Sequence, residues 1–501
     1  MDYSKLQNGS DIRGVALEGI EGQHINLTEN ACRDIGRGFA LWMVKKTGKT
    51  EGIRVAVGRD SRLSGEALCN WICDAMVQAG LNVTNFGMAS TPAMFMSTVT
   101  EPYKFDGSVM ITASHLPFNR NGFKFFTAEG GLEKADIKEI LAYAGGNETT
   151  SLATGTLVNG EFMDVYAKIL ADKIRAATGE DKPLEGFRIV VDAGNGAGGF
   201  YVDKVLKPLG ANTEGSRYLD PDGSFPNHIP NPEDKEAMEA ITESVNLAKA
   251  DLGIIFDTDV DRAGAVLSDG SELNRNRIIA MLAAILLREH PGTTIVTDSI
   301  TSTGLAKFIE EKGGIHHRFK RGYRNVINES IRLNALGQDS QLAIETSGHG
   351  ALKENYFLDD GAYLVTKLLI ELARGKKEGY TLESLIATLD EPAESVEFRM
   401  NILLDEFKPY GQQVIDELTA YAQNQPGWSL APSNFEGVRV NLDEEHGNGW
   451  FLLRLSLHDP LLPRNIESNS LGGSKMIAKE LAGFIAGYDK LDAAKLMAFV
   501  K

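Results

Sequence analysis

The stretch FRIVVDAGNGAGG, residues 187–199, joins a β-branched run to a glycine-rich turn. Two other stretches, IRVAVGRD at 53–60 and TTIVTDS at 293–299, also place a β-branched run before a polar turn and a helical pattern. Strands that alternate with helices in this way are typical of α/β layers with a parallel or mixed sheet. The sequence therefore predicts an α/β fold, and ligand-binding loops are expected beyond the carboxyl ends of its strands.

The chain is long enough for several domains. Its 501 residues exceed what one hydrophobic core can organise, and polar stretches at 145–155, 271–276 and 391–395 separate the patterns. Beyond the last stretch, strand patterns such as VRVNL and WFLLRLSL follow each other without a crossover helix, which predicts an antiparallel sheet. We expect three mixed-sheet α/β domains and a smaller C-terminal α+β domain. The predicted bounds are 1–150, 151–272, 273–390 and 391–501.

Composition and charge exclude several classes of partner. The net charge of −18 argues against nucleic acid and anionic membranes, since both require a basic face. No apolar run approaches the roughly 18 residues that cross a bilayer, and the opening MDYSKLQNGSDIRG lacks the basic and apolar regions of a signal peptide. We expect a cytoplasmic protein. A small anionic ligand remains compatible with this charge, because Arg and Lys can cluster locally.

The three cysteines are predicted to be reduced. Cys32, Cys69 and Cys73 are too few and too close together in sequence to cross-link the chain through disulfides. Cys69 and Cys73 stand four apart in a helical pattern, but no nearby His or third Cys completes a metal-ligand set. We therefore expect buried structural thiols.

The loop IIFDTDVDRAG at 254–264 follows a buried strand pattern and carries three carboxylates. Asp257, Asp259 and Asp261 alternate, so in an extended segment all three point the same way. Converging carboxylates repel unless a cation lies among them, and their hard oxygens favour Mg²⁺. The sequence predicts a magnesium site, with Arg262 placed for a nearby phosphate. A solvated acidic turn is the alternative.

A second polar loop interrupts the stretch VMITASHLPFNRNGFKFF, 109–126. Ser114 in this loop has no GxSxG elbow and no obvious catalytic His–Asp pairing around it, so a hydrolase nucleophile is not predicted. A serine that carries a phosphoryl group needs a metal and cations instead. The aspartate loop and Lys124 can supply them. A turn or helix N-cap serine is the alternative.

A third loop, AIETSGHGA at 343–351, follows another apolar strand pattern. Glu345 and Ser347 stand two apart, a spacing that suits recognition of vicinal sugar hydroxyls. Glycines on both sides of His349 allow close backbone approach. A structural role for His349 is the alternative.

The fourth loop, RLSLHDP at 454–460, offers Arg454, Ser456 and His458 along one side of a strand end. These side chains can form a phosphate cradle. A solvated strand terminus would look similar in sequence.

Together and in this order, the four loops resemble those of the α-D-phosphohexomutase superfamily, whose members include phosphomannomutase/phosphoglucomutase. TASHLPFNRNGFK resembles the phosphoserine loop, DTDVDR the metal loop, ETSGHG the sugar loop and RLSLHDP the phosphate loop. Four more segments resemble other signatures: SDIRG at 10–14, VGRDSRLSG at 57–65, VVDAGNGAGG at 190–199 and DGSFPNHIPNPED at 222–234. The resemblance implies four domains around a central cleft, each giving one loop.

The resemblance also implies the reaction. A phosphohexomutase interconverts hexose 6-phosphate and hexose 1-phosphate, here of mannose or glucose. Ser114 would donate its phosphoryl group to the sugar, and the resulting hexose 1,6-bisphosphate would reorient and return its other phosphate. The same bisphosphate is the expected activator. The partners implied are small sugar phosphates, for a protein that is a monomer or a homodimer.

The family pattern assigns roles to residues of this sequence. The implied Mg²⁺ ligands are Ser114, through its phosphate, with Asp257, Asp259 and Asp261. The implied catalytic residues are Ser114, Arg13, His115, Lys124 and His349. Lys124 is the first choice for general acid/base, and His349 is the second. The implied substrate-binding residues are Arg262, Lys320, Glu345, Ser347, Arg454, Ser456 and His458.

Three places differ from the family pattern. Leu116 replaces an asparagine, Thr258 replaces a glycine, and Leu457–His458 with Asp459 replace Gly–Thr or Asn–Thr and an acidic residue. These differences leave the rate and the preferred sugar open.

Three alternatives remain at this point. IIFDTDV fits the DxDx[TV] pattern of haloacid-dehalogenase-like phosphatases, with FLDDG at 357–361 as a later acidic pair, but that reading leaves the Ser114 loop unexplained. A non-catalytic sugar-phosphate-binding paralogue is the second alternative. A phosphoglucosamine mutase is the third, disfavoured only weakly by Thr346, which stands where sugar discrimination is expected.

Overall fold

The computed structural model describes residues 2–456 and 459–501. The chain divides into two compact units. The first contains the residues up to Ile278 together with Ser347–Ser384, and the second contains Ile279–Thr346 together with Leu385–Lys501. The chain thus leaves the first unit, returns to it for one segment, and leaves it again.

The first sheet is mixed and lies in the first unit. Its strands are β1 Gln7–Asn8, β2 Asp11–Val15, β3 Arg54–Arg59, β4 Asn82–Met88, β5 Gly107–Ile111, β6 Arg120–Thr127, β7 Gly130–Gly131 and β8 Leu157–Asn159. The order is β1-β2-β6-β5-β3-β4-β8, with β7 on β6. Strands β5, β3, β4 and β8 run parallel, whereas β6 is antiparallel to both β2 and β5.

Helices cover this sheet because its strands are apolar on the buried side. They are α1 Glu29–Thr47, α2 Gly65–Gln78, α3 Thr91–Val99 and α4 Lys134–Gly145. Alternate residues of β3 and β5, Val55 with Val57 and Val109 with Ile111, share one core with α1, α2 and α4. This packing fixes the loops that follow β3 and β5.

The second sheet also lies in the first unit. Its strands are β9 Ile189–Asp192, β10 Leu252–Phe256, β11 Ala263–Leu267 and β12 Glu272–Leu273, and its helices are α5 Met163–Thr178 and α6 Lys235–Ala248. The order is β12-β11-β10-β9, with β9 parallel to β10 and the other pairs antiparallel. Every residue of β10 is buried, and Ile241 and Val245 of α6 pack on Val190, Ile255 and Val266.

The third group of elements alternates helices and strands. In chain order they are α7 Arg275–Glu289, β13 Thr294–Thr297, α8 Thr303–Glu311, β14 Ile315–Arg318, α9 Tyr323–Ala335, β15 Ser340–Ile344, β16 Gly350–Leu352, β17 Leu358–Asp359, α10 Gly361–Glu378 and α11 Leu382–Leu385. Strand β13 pairs in parallel with β14 and β15, and β16 pairs with β17 antiparallel. In the returning segment of the first unit, α10 packs against α5.

The last sheet is antiparallel throughout. Its strands are β18 Glu394–Ile402, β19 Trp428–Leu430, β20 Val438–Leu442, β21 Gly449–Leu453, β22 Leu461–Ser468 and β23 Leu491–Asp492. Its helices are α12 Phe407–Ala422, α13 Gly473–Ile485 and α14 Ala494–Val500. The order is β19-β20-β21-β22-β18-β23, and alternate residues of β18, β20 and β22 share a core with the three helices.

The predicted fold class is confirmed: three mixed α/β sheet layers precede an antiparallel C-terminal sheet. All three cysteines are free and buried, as expected. Among the described residues, no helix is both long and apolar enough to cross a membrane.

Candidate active site

Ser114 lies in the loop that joins β5 to β6, at the carboxyl end of β5. The residue is buried, and its φ of 51° is unusual for a residue other than glycine. Its backbone N–H donates to Thr112 Oγ1 at 2.9 Å. The Ser114 hydroxyl donates to Asp257 Oδ2 at 3.0 Å, and Arg262 Nη2 donates to Ser114 Oγ at 3.1 Å. The serine thus meets a carboxylate and a cation at once.

The three aspartates converge, but not in the way that the sequence predicted. An extended segment is wrong here, because residues 258–261 form a turn between the antiparallel strands β10 and β11. The turn includes Val260 at φ 68°, a strained conformation for a β-branched residue. Carboxylate oxygens of Asp257, Asp259 and Asp261 lie within 4.8 Å of one another.

The glycine-rich turn of the stretch 187–199 supports this aspartate turn. Ala197 N donates to the carbonyl oxygen of Thr258 at 2.8 Å. A Cβ atom on Gly196 would lie 2.6 Å from the same oxygen, so the close approach requires glycine. Thr258, one of the departures from the family pattern, therefore contributes its backbone to the support of the aspartate turn.

Lys124 links the serine loop to the aspartates. It lies on β6 opposite Met110 of β5, and its Nζ donates to Asp259 Oδ2 at 3.1 Å and to Asp261 Oδ2. Thr91, at the start of α3, donates its backbone N–H to the carbonyl oxygen of Asp259 at 2.8 Å and its hydroxyl to the carboxylate. These contacts fix the orientation of both carboxylates.

The aspartates differ in their electrostatics. Burial raises the pKa of Asp257 well above its ordinary value, and the charges of Asp261 and Asp259 raise it further. Burial also acts to raise the pKa of Asp261, but the charges of Lys124, His349 and Arg262 outweigh it and bring that pKa below the ordinary range. Of these two carboxylates, Asp257 is the one whose charge a further cation would stabilise more.

The residues present fit a hard divalent cation. Asp259 Oδ1 and Asp261 Oδ1 are buried and have no hydrogen-bond donor within the described part of the chain. Burying carboxylate oxygens that accept no hydrogen bond costs free energy unless a cation binds them. Together with Asp257 they form an all-oxygen donor set, which Mg²⁺ prefers.

Arg262 is the central cation of the site. Its buried guanidinium donates from Nε and Nη2 to Asp257 Oδ2, at 3.3 and 3.2 Å, and from Nη1 to Asn231 Oδ1 at 3.1 Å. Nη2 also donates to His115 Nδ1 at 2.6 Å. Burial, together with the charges of Arg262 and Arg13, lowers the pKa of His115 to about 3. His115 is thus neutral, with Nδ1 as an acceptor.

Arg13 and His349 complete the charged groups around the serine loop. Arg13, on β2, donates from Nη2 to Asp11 Oδ2 at 2.8 Å and from Nη1 to the carbonyl oxygen of Ala113 at 3.4 Å. His349 Nδ1 lies 2.5 Å from Asp359 Oδ2 and 4.0 Å from Asp261 Oδ1. Burial works against protonation of His349, but these two carboxylates outweigh it and raise its pKa to about 9.

Two residues of this site were missed as functional candidates from the sequence. Asp359, which fixes the orientation of His349, was noted only as part of an acidic pair in FLDDG. The two carboxylates have different roles: Asp359 contacts His349, whereas Asp360 caps the N-terminus of α10 by accepting from Tyr363 N. Arg62, in VGRDSRLSG, contacts the backbone of the serine loop. Neither role is visible in a motif, since Asp359 meets His349 only across a hairpin and Arg62 is far in sequence from the serine loop.

Other predicted site residues lie in the second unit. Glu345 is buried, and its Oε1 accepts from Gly322 N at 2.5 Å. Lys320 is exposed, with Nζ 6.0 Å from the centre of the Phe319 ring. Ser347, by contrast, is buried at the start of the segment that returns to the first unit.

The predicted phosphate loop also lies in the second unit. Strand β21 ends at Leu453, so Arg454 and Ser456 lie in the loop that follows. Arg454 Nη1 is 3.7 Å from Glu436 Oε1, and Ser456 Oγ accepts from Asp459 N at 3.3 Å. His458, the remaining member of the predicted cradle, lies outside the described residues, as does Leu457.

A buried ion pair holds the segment 222–234 against β9. His228 Nε2 lies 3.1 Å from both oxygens of Asp192, and His228 Nδ1 lies 2.9 Å from the carbonyl oxygen of Ile229. Both ring nitrogens face acceptors, so the imidazole is doubly protonated. Burial favours the neutral ring, but Asp192 and the Ile229 carbonyl outweigh burial and raise the pKa of His228. The same segment carries Asn231, which accepts from Arg262.

This pair predicts a pH-dependent stability. A histidine whose pKa is higher in the folded state stabilises the protein fully below its unfolded-state pKa of roughly 6.5. This stabilisation is lost as pH rises through the folded-state pKa. We expect His228→Gln to lower the free energy of unfolding by about 1 kcal/mol relative to the wild type at pH 6, and by less at pH 9. Thermal unfolding across this range measures the difference. His24→Gln, at an exposed histidine, is the control and should show no such trend; a constant difference for His228→Gln would contradict the ion pair.

Comparison with known proteins identifies the family. Models described as phosphoglucomutase/phosphomannomutase, alpha/beta/alpha domains I, II and III, match residues 4–150, 164–270 and 274–391. A phosphoglucomutase of Neisseria meningitidis serogroup A is 31% identical over 472 residues, 94% of this chain and 95% of that protein. A phosphomannomutase/phosphoglucomutase of Pseudomonas putida is 32% identical over 419 residues, 83% of this chain and 84% of that protein.

A solved structure agrees with these sequences. A phosphoglucomutase/phosphomannomutase family protein from Burkholderia thailandensis superimposes with a TM-score of 0.79 at 27% identity, covering 98% of this chain and 100% of the other. The chain therefore belongs to the phosphoglucomutase/phosphomannomutase family of the α-D-phosphohexomutase superfamily. It is an isomerase of carbohydrate metabolism, as the resemblance implied. Membership excludes the haloacid-dehalogenase-like alternative.

Proposed function

We propose that this protein interconverts hexose 6-phosphate and hexose 1-phosphate of glucose or mannose through a phosphoserine at Ser114. The observation that carries the proposal is the position of Ser114 Oγ, which lies 3.0 Å from Asp257 Oδ2 and 3.1 Å from Arg262 Nη2. A phosphoryl group on this oxygen would lie between a cation and a metal-type carboxylate cluster. Phosphoryl transfer depends on such positioning and charge stabilisation more than on a strong base.

Mg²⁺ would be held by Asp257, Asp259, Asp261 and an oxygen of the seryl phosphate, where it would neutralise the charge of the transferred group. The chain's own residues contribute the remaining stabilisation. Arg262 would donate to the phosphoryl oxygens from the atom that now reaches Ser114 Oγ. Neutral His115 would accept from Arg262 and keep its guanidinium in place.

Lys124 would move the proton that phosphoryl transfer requires. Its ammonium group lies beside Asp259 and Asp261, so it enters the reaction protonated. It can donate to the departing serine oxygen, and the proton that the attacking sugar hydroxyl releases would return to it. His349 is the second candidate, because Asp359 holds its proton at Nδ1. The sugar hydroxyls would be bound by Glu345 and Ser347, and the non-transferring phosphate by Arg454, Ser456 and His458. Lys320 would be a further substrate-binding residue.

The test is turnover with glucose 1-phosphate and mannose 1-phosphate in the presence of Mg²⁺ and a catalytic amount of hexose 1,6-bisphosphate. Intact mass before and after incubation with the bisphosphate should show a phosphate-sized increment, which peptide mapping should place on Ser114. Turnover of glucosamine 6-phosphate alone would favour the phosphoglucosamine mutase alternative. No turnover of any hexose phosphate, with Ser114 unmodified, would establish the non-catalytic paralogue.

A shared sugar site predicts symmetric effects on the two directions. Glu345→Gln keeps an acceptor for Gly322 N, so the loop should stay folded, but it removes the charge that strengthens hydrogen bonds to sugar hydroxyls. We expect kcat/KM to fall about tenfold in both directions. Initial rates from the 1-phosphate and the 6-phosphate measure this. Glu311→Gln on α8 is the exposed control, and a loss confined to one direction would contradict a shared site.

A further inference from the structure

Arg62 binds the backbone of the serine loop at four points. Its Nη1 donates to the carbonyl oxygens of Pro117 and Arg120 at 2.9 and 3.0 Å. Its Nη2 donates to the carbonyl oxygens of Leu116, at 2.7 Å, and Ser114. One guanidinium thus collects four carbonyls from a segment of seven residues. Leu116, another departure from the family pattern, takes part through its backbone.

Asp60 holds Arg62 from the other side. Its Oδ2 lies 3.5 Å from Arg62 Nε, and its Oδ1 accepts from Arg62 N at 3.0 Å. The side chain of Thr112 also hydrogen-bonds to Asp60, and Thr112 Oγ1 in turn accepts from Ser114 N. Asp60 and Arg62 are therefore connected to Ser114 on both its N–H and its carbonyl side.

The arrangement requires a guanidinium. Four carbonyl dipoles that point to one place repel each other unless a cation lies between them, and a planar fork of five N–H groups matches them better than an ammonium group with three. Neither Asp60 nor Arg62 exposes any of its side chain, so Arg62 has no surface from which to touch a substrate. Its effect on the reaction must pass through the loop.

We propose that Arg62 is a positioning residue for phosphoryl transfer: by binding the carbonyls of residues 114, 116, 117 and 120, it holds Ser114 in its strained backbone conformation, with Oγ toward Asp257 and Arg262. The inference rests on the proposed phosphoserine reaction. Without this contact the loop can relax, and Ser114 moves out of line with the sugar. A misplacement of about 1 Å is enough to cost roughly 100-fold in rate.

The experiment compares Arg62→Lys with Arg59→Lys. Arg59 precedes Asp60 and donates to its carbonyl oxygen, but makes no hydrogen bond to the serine loop in the described part of the chain. We expect Arg62→Lys to lower kcat and the single-turnover rate of Ser114 phosphorylation by hexose 1,6-bisphosphate by about 100-fold. KM for the hexose phosphate and the Mg²⁺ dependence should stay within about twofold of the wild type. Arg59→Lys should leave all of these unchanged.

Each outcome has a defined meaning. A wild-type phosphorylation rate in folded Arg62→Lys overturns the inference, and so does a raised KM with unchanged kcat, which would indicate substrate binding. If Arg62→Lys does not fold, Asp60→Asn is the second variant, because it weakens the hold on the Arg62 guanidinium while keeping the side-chain volume. It should lower kcat about tenfold at unchanged KM. An unchanged kcat in this variant overturns the inference. Failure of the wild type to become phosphorylated would overturn the proposed function itself.

Discussion

Replacement of Ser114 by alanine is expected to lower mutase turnover by at least about three orders of magnitude while the protein stays folded. The variant lacks the oxygen that carries the phosphoryl group, an oxygen that lies within hydrogen-bond distance of both Asp257 and Arg262. The serine hydroxyl contributes little to packing, because its hydrogen-bond partners are the charged groups of the site. Coupled assays of turnover and the mass increment after incubation with bisphosphate measure the effect.

Ser108→Ala is the matched control for this experiment. Ser108 is a buried serine of β5, six residues away, and its hydroxyl donates to the carbonyl oxygen of Met94 at 2.7 Å. Its loss should cost about 1 kcal/mol of stability and leave turnover intact. If Ser114→Ala keeps more than about a tenth of the wild-type rate, and no other residue becomes phosphorylated, the phosphoserine mechanism is wrong.

The second large effect concerns the aspartates. Asp257→Asn, Asp259→Asn and Asp261→Asn should each raise the Mg²⁺ concentration needed for half-maximal activity, by about tenfold or more, since each removes an anionic ligand from a hard cation. Activity against Mg²⁺ concentration measures this shift. Asp269→Asn, at an exposed carboxylate of the second sheet's loop, should not change it. Wild-type activity of all three variants at limiting Mg²⁺ would contradict the assignment of these aspartates as Mg²⁺ ligands.

The same variants should differ in stability without metal. The raised pKa of Asp257 means that folding opposes its charge, so Asp257→Asn should increase the unfolding temperature in chelated buffer at pH 7. The lowered pKa of Asp261 means that folding favours its charge, chiefly through Lys124, so Asp261→Asn should decrease it. Shifts of a few degrees are expected. Calorimetry in the presence of a chelator distinguishes the two signs, and identical signs would contradict this electrostatic account.

Local sequence patterns predicted the loops of the site but not their geometry. The Ser114 loop and the aspartate loop were found because each follows an apolar strand pattern. The convergence of Asp257, Asp259 and Asp261 was expected for the wrong reason. The sequence pattern suggested an extended segment, whereas the structure has a turn between antiparallel strands, and both produce the same spacing in sequence. Only the pairing of β10 with β11 decides between them.

Other features depend on contacts that no short window contains. Arg62 and its four carbonyl partners are 52 to 58 residues apart, and His349 finds Asp359 across the β16–β17 hairpin. Strand β22 was not predicted from the sequence, and it contains Pro463, a residue that is disfavoured in central strands. In the structure Arg399 lies opposite Pro463, and β22 pairs with both β18 and β21.

The interrupted course of the chain has a consequence for how the protein is made. The first unit receives Ser347–Ser384 only after 68 intervening residues, Ile279–Thr346, have been synthesised. At roughly 5 to 20 residues per second, several seconds separate the emergence of β11 from that of α10. During this time α5 lacks α10, so the part of its surface that α10 covers is open to solvent or to a chaperone. His349 and Asp359 arrive with that late segment, so of the proposed catalytic groups the serine and aspartate loops are synthesised first and the histidine last.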